Sequence, residues 1–283
     1  MKRVVVAFFT VLAVCSMVWS APITLDASRD ALLQAGNPGS NDGNGGKCYI
    51  GAAQGVTSAD TVVMGWDFTG ITLGPGEYVQ SASLKFYSSG SGSNFTWDLG
   101  LYPLKKTWQE GIGAPSGGYG STNYPWGPAS VGDATATYQV VTETVADATG
   151  WIALATAGTA WDGLGASGDA DSDKTKPMTT GQWIGDLVSI QMPLGNVVPL
   201  SADGLLVIED WITGALDNNG VVMIVTGARA AGAMHLATRE YMSGGNAPGP
   251  YAAELTFEIV PEPASMVLLG LGGLGVLIRR RRR

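Results

Sequence analysis

Histidine and cysteine are almost missing from this chain of 283 residues: one histidine, His235, and two cysteines, Cys15 and Cys48. A histidine-rich zinc site is thereby excluded. A Ser-His-Asp triad would have to use His235, and no Gly-x-Ser-x-Gly elbow occurs. No glycine-rich phosphate loop closes on Lys followed by Ser or Thr, which argues against nucleotide use. Cys15 falls in an N-terminal apolar stretch expected to be removed, so Cys48 would stand alone without an internal disulfide.

Charge is also sparse, at 14% of residues, and positive charge is scarcer still. Seven of the 16 basic residues sit at the two ends, against one of the 24 acids. The body between them therefore carries nine basic and 23 acidic residues, a net charge of −14. Such a surface repels phosphate backbones, so nucleic acid is excluded as a partner. What is abundant is glycine, with 41 residues, beside 14 prolines and 45% hydrophobic residues. That balance suits many short strands joined by turns in one large β domain.

The ends carry the plainest signals. Met1-Lys2-Arg3 is a short basic region, residues 4–18 are mostly apolar, and Val18-Trp19-Ser20 offers small residues for cleavage after Ser20. Residues 1–20 thus read as a secretory signal peptide, handled by the Sec translocon and signal peptidase. Lipoprotein processing at Cys15 is disfavoured because Val14 stands where a small residue is wanted. At the other end, Pro261-Glu262-Pro263 is an extended stretch incompatible with helix. Residues 264–278 are uncharged and mostly apolar, and Arg279, Arg280, Arg281, Arg282 and Arg283 follow at once. The arginine run is expected to stay in the cytoplasm, leaving the body outside. As a helix the apolar run reaches only about 22 Å against a hydrocarbon core of about 30 Å. It makes a marginal single-pass anchor, suited to a temporary stop in the inner membrane before processing.

This tail resembles the PEP-CTERM sorting signal, through Val260-Pro261-Glu262-Pro263-Ala264, the apolar segment and the arginine block, together residues 260–283. The resemblance implies cleavage near Pro261 to Pro263 by an exosortase, delivery to the cell surface or extracellular matrix, and association with extracellular polysaccharide.

Residues 21–259 read mainly as strands. Residues 61–68 hold β-formers in series, and 78–87 and 95–102 alternate apolar with polar side chains. Residues 204–208, 221–225 and 254–259 are further candidates, although 203–216 could equally be a short helix. Residues 111–134 and 156–177 read as long inserted loops. The expected fold class is mainly β: an antiparallel jelly-roll-like β-sandwich with a signal peptide before it and a short transmembrane helix after it. The body resembles the DNRLRE domain, a β-sandwich similar to carbohydrate-binding modules. The phrases are Val79-Gln80-Ser81-Ala82-Ser83-Leu84, Trp108-Gln109-Glu110-Gly111, Trp211-Ile212-Thr213-Gly214, Asn218-Asn219-Gly220 and Thr238-Arg239-Glu240. The resemblance implies a sandwich associated with polysaccharide or cell wall.

Candidate chemistry is thin. Trp108, Glu110, Trp126 and Trp211 could line a sugar face, although a β core also consumes tryptophans. Asp169, Asp171 and Asp173 alternate like the start of a calcium loop. Lys174 and Thr180 stand where an EF-hand needs Gly and Glu, so a looser structural calcium site competes with a solvated acidic loop. No other cofactor is expected. A non-enzymatic surface component is the leading reading; a secreted polysaccharide-active enzyme using Glu110 and Glu240 is the alternative.

Overall fold

The computed structural model describes residues 21–33, 47–51, 61–88, 95–111, 129–146, 153–162, 168–179, 182–185, 194–225, 233–238 and 251–262. Their elements run in the order β1 (Ile23–Leu33), β2 (Lys47–Gly51), β3 (Thr61–Trp66), β4 (Glu77–Ser88), β5 (Phe95–Pro103), β6 (Tyr138–Ala146) and β7 (Ala153–Ala160). There follow β8 (Gln182–Gly185), β9 (Leu194–Pro199), α1 (Ala202–Thr213), β10 (Val221–Val225), β11 (Ala233–Ala237) and β12 (Glu254–Pro261). Ten strands form one sheet in the order β2-β11-β4-β12-β1-β3-β10-β5-β8, with β9 also paired to β4; β6 and β7 form a separate ribbon. The pairings are antiparallel.

β1 joins the two halves of the large sheet. Ile23 to Asp26 pair with β12, whereas Ala27 to Leu33 pair with β3. The register slips between Ala27 and Arg29, and an extra residue in a strand reverses which side chains face inward. Before the slip Ile23, Leu25 and Ala27 meet the main core. After it Leu32 does, while Ala31 and Leu33 face the opposite way. The sheet curls so that Leu84 and Phe86 of β4 and Leu255 and Phe257 of β12 share one core with Val62, Met64 and Trp66 of β3 and Val221 and Met223 of β10.

Helix α1 closes this core with Gly204, Val207, Ile208 and Trp211, which share one face of a 3.6-residue period. Ser201 caps its start by accepting from the Gly204 N–H at 3.1 Å, and Gly214, at φ 74°, ends it. The back of β1, β3 and β10 is covered too. Ala31, Leu33, Val63 and Val222 pack there against Leu104, Trp108, Ala134 and Trp161. With both faces buried, β3 is buried at every position, which explains the absence of alternating polar residues along it.

The architecture is mainly β, with a curled antiparallel sheet rather than a demonstrated jelly-roll sandwich. Two expectations change. Residues 204–208 lie in α1, not in a strand, because the Ser201 cap and the Gly214 stop define a helix around them. The stretch read as a loop over 156–177 begins inside β7, whose Ala- and Thr-rich sequence lacks apolar alternation. Among the described residues no helix is long and apolar enough to cross a membrane. Residues 1–20 and 264–278 lie outside the described residues.

Candidate functional site

Of the tryptophans proposed for a sugar face, Trp108 and Trp211 are turned inward. Trp108 is 2% exposed. Its indole N–H donates to the Asn219 carbonyl at 2.8 Å, and the Arg29 guanidinium covers its ring at 4.7 Å from the centroid. Arg29 also donates to the Trp108 carbonyl at 2.8 Å. Burial lowers the Arg29 pKa and the nearby Glu110 carboxylate works against that shift. Glu110 accepts from the Asp30 N–H at 2.7 Å. Asn218 donates its side-chain amide to the Trp66 carbonyl at 2.7 Å, and Gly220, at φ 81°, passes so close to Met64 that a side chain would strike its carbonyl. The structure therefore brings Trp108, Glu110 and the Asn218–Gly220 corner together around Arg29, as a half-buried polar knot over a buried indole and not as an open platform.

Trp211 belongs to the main core at 5% exposure, edge-on to Phe68 with centroids 5.7 Å apart. Its ring faces are therefore unavailable to a ligand. Trp126 and Glu240 lie outside the described residues. The acidic stretch is not uniformly solvated, as the plainer reading had it. Asp169 is largely exposed and pairs with Lys174 at 2.8 Å. Asp171 is fully buried, accepting from the Asp162 N–H at 2.9 Å. Asp173 accepts from the Thr175 hydroxyl at 2.6 Å. The three carboxylates each serve a local partner, and among the described residues no group of three His, Cys, Asp or Glu side chains is placed to hold a metal. This stretch is pinned to the end of β5 and the residues just after it, through Lys105 N–H to the Asp171 carbonyl and Asp173 N–H to the Pro103 carbonyl.

An outward cluster that the sequence reading missed sits on β4 and β12. Lys85 bonds Glu254 at 2.7 Å, Tyr87 donates its hydroxyl to the same carboxylate oxygen at 2.5 Å, and the Tyr87 and Tyr251 rings meet edge-on at 5.3 Å. Burial raises the Tyr87 pKa and the bond to Glu254 adds to it. Hydrogen bonding to Glu254 raises that of Lys85. For Glu254, burial pushes upward, yet the bonds from Lys85 and Tyr87 together hold its carboxyl below the ordinary range. Alternation in 78–87 could have placed Lys85 and Tyr87 on the outer face; only the fold brings Tyr251 and Glu254 beside them.

The sorting signal joins the body without a spacer. β12 runs to Pro261, which stands opposite Glu77, and the Glu262 N–H donates to the Gly76 carbonyl at 2.5 Å. Gly74-Pro75-Gly76-Glu77 is closed by the Glu77 N–H on the Gly74 carbonyl at 3.1 Å. Pro at its second position and Gly76 at φ 72° give it the signature of a type II turn. The Glu77 carboxylate accepts from the Gly74 N–H at 2.6 Å, tying the corner shut.

No curated protein matches the chain. Its residues 260–283 match the PEP-CTERM protein-sorting motif. By that motif this is a protein sorted by exosortase, bound for the cell surface or the space outside it.

Proposed function

We propose that this chain is an exported surface or matrix component whose acidic body is held at the membrane until exosortase removes the tail, and which then associates with extracellular polysaccharide. In this reading residues 1–20 are the leader, 264–278 the temporary anchor and Arg279 to Arg283 the cytoplasmic stop. The observation that carries it is where the ends leave the fold. Ile23 stands opposite Phe257 on adjacent antiparallel strands, so the leader side of β1 and the tail side of β12 leave the sheet at the same end. Both membrane-directed segments can then meet one bilayer while the body stays folded on its outer side.

The polysaccharide part rests on the DNRLRE-like phrases. Two of them, around Trp108 and Asn218, meet at Arg29, which supports reading them as parts of one motif. We assign the glycan contact to the outward Tyr87 and Tyr251 with Lys85 and Glu254. The Lys85 ammonium covers one face of the Tyr87 ring at 4.7 Å from its centroid, so the apolar surface for sugar C–H groups is what the two half-buried rings leave outward, and the ion pair offers donors and an acceptor. Processed protein should be retained by immobilised surface polysaccharide from the producing cells, and Tyr87→Ala with Tyr251→Ala should release it while the circular dichroism stays unchanged. A processed, folded protein that passes through unretained would defeat the polysaccharide part. The enzymatic alternative asks Glu110 for acid–base work, but that carboxylate already holds the Asp30 amide and faces Arg29. Incubation with the same polysaccharides should therefore release no new reducing ends.

A further inference from the structure

We propose that the Gly74–Glu77 turn is a positioning element for tail processing: it holds the first residues of the sorting motif as an extension of β12, and exosortase acts after that strand end has peeled from β4. This goes beyond the sorting reading and rests on it.

The motif starts inside the sheet. Val260 pairs with Tyr78 and Pro261 with Glu77, and the Glu262 N–H is taken by the Gly76 carbonyl. The carbonyl is aimed by a corner with little freedom: Pro75 fixes its own backbone, Gly76 supplies the positive φ, and the Glu77 side chain braces Gly74. On the other side of β12 the register with β1 covers Glu254 to Phe257. The ladder to β4 itself slips between Glu258 and Ile259. Beside that slip the Val79 N–H turns to Glu209 of α1, at 2.7 Å. Ile259 is buried in the main core, so the segment free to open is short: Val260 to Glu262, beyond the irregularity and beyond that core contact.

Proteases and related enzymes commonly take a substrate as an extended strand whose backbone groups bond to the enzyme. The Glu262 amide cannot serve Gly76 and an enzyme together. Processing at Pro261 to Pro263 therefore draws on the fraction of molecules in which this end is open. Freeing one net hydrogen bond raises that fraction about two- to tenfold.

Pulse-chase labelling in an exosortase-competent host tests this with three full-length chains. They are the wild type, Gly76→Ala, and a chain with Gly-Ser-Gly-Ser inserted between Val260 and Pro261. A Cβ at Gly76 meets no atom within 4 Å, so that substitution strains the corner without crowding the core. The insertion leaves every residue of the body intact. Both variants should lose the tail about two- to tenfold faster than wild type. Amide hydrogen exchange on the unprocessed wild-type chain should show the Glu262 N–H protected, and Gly76→Ala should reduce that protection. Equal or slower processing in the two variants, or an unprotected Glu262 amide in the wild type, overturns the proposal while leaving sorting intact. Failure of all three chains to lose the tail overturns the sorting reading, and this proposal with it.

Discussion

At the scale of single residues, Trp108 shows how a side chain suited to one task is used for another. Its large apolar surface favours burial, and its lone N–H demands an acceptor once buried, which Asn219 supplies. Trp108→Ala should lower stability in denaturant unfolding by about 3–5 kcal/mol, because it empties the outer core and strips the Arg29 guanidinium of its cover. A loss below about 1 kcal/mol would mean that the ring is not packed as described. Glu254 gives a prediction in acid. Its carboxyl releases its proton more readily in the fold than in the unfolded chain, so the stability it adds is complete above the ordinary glutamate pKa of about 4.3 and disappears as the pH falls through the lowered folded value. The Tm gap between wild type and Glu254→Gln should be open at neutral pH and narrow in that acid range. A gap that stays constant from neutral pH down through that range would contradict the cluster geometry.

At the scale of elements, legibility followed the regularity of burial. β4 and β12 alternate faces, and β3 and β10 are covered on both, so each announces itself in sequence. β1 does not. The slip near Ser28 moves its inward set from Ile23, Leu25 and Ala27 to Leu32, and no single period survives. Helix α1 was ambiguous because Leu205, Leu206, Val207 and Ile208 form an apolar run that fits a strand as well as a helix. Its caps decide the matter. Ser201→Ala should cost about 1 kcal/mol through loss of the bond to Gly204. Gly220→Ala should cost more, since the added Cβ meets the Met64 carbonyl at a backbone angle that alanine resists. Chemical denaturation of the two variants ranks them, and a larger loss for Ser201→Ala would contradict the corner. β6 and β7 escaped notice because Ala, Thr and Gly dominate β7 and give no apolar alternation. The sorting motif was fully legible, being a contiguous order of residue types. The outward tyrosine cluster was not, because Tyr87 and Tyr251 become neighbours only when β12 lies along β4.

At the scale of the whole molecule, function follows from placement. An acidic β body leads its final strand straight into a sorting motif, and the start of its first strand lies at the same end of the sheet. Charge agrees with that arrangement: five arginines close the tail, while the body between the ends carries the net −14. The central claim is that exosortase acts on this tail. Intact mass spectrometry of the protein recovered from matched exosortase-competent and exosortase-deficient cells measures it directly. The account predicts a C-terminus within Pro261 to Pro263 from the competent cells and a C-terminus at Arg283 from the deficient ones. Recovery of chains ending at Arg283 from both would contradict it.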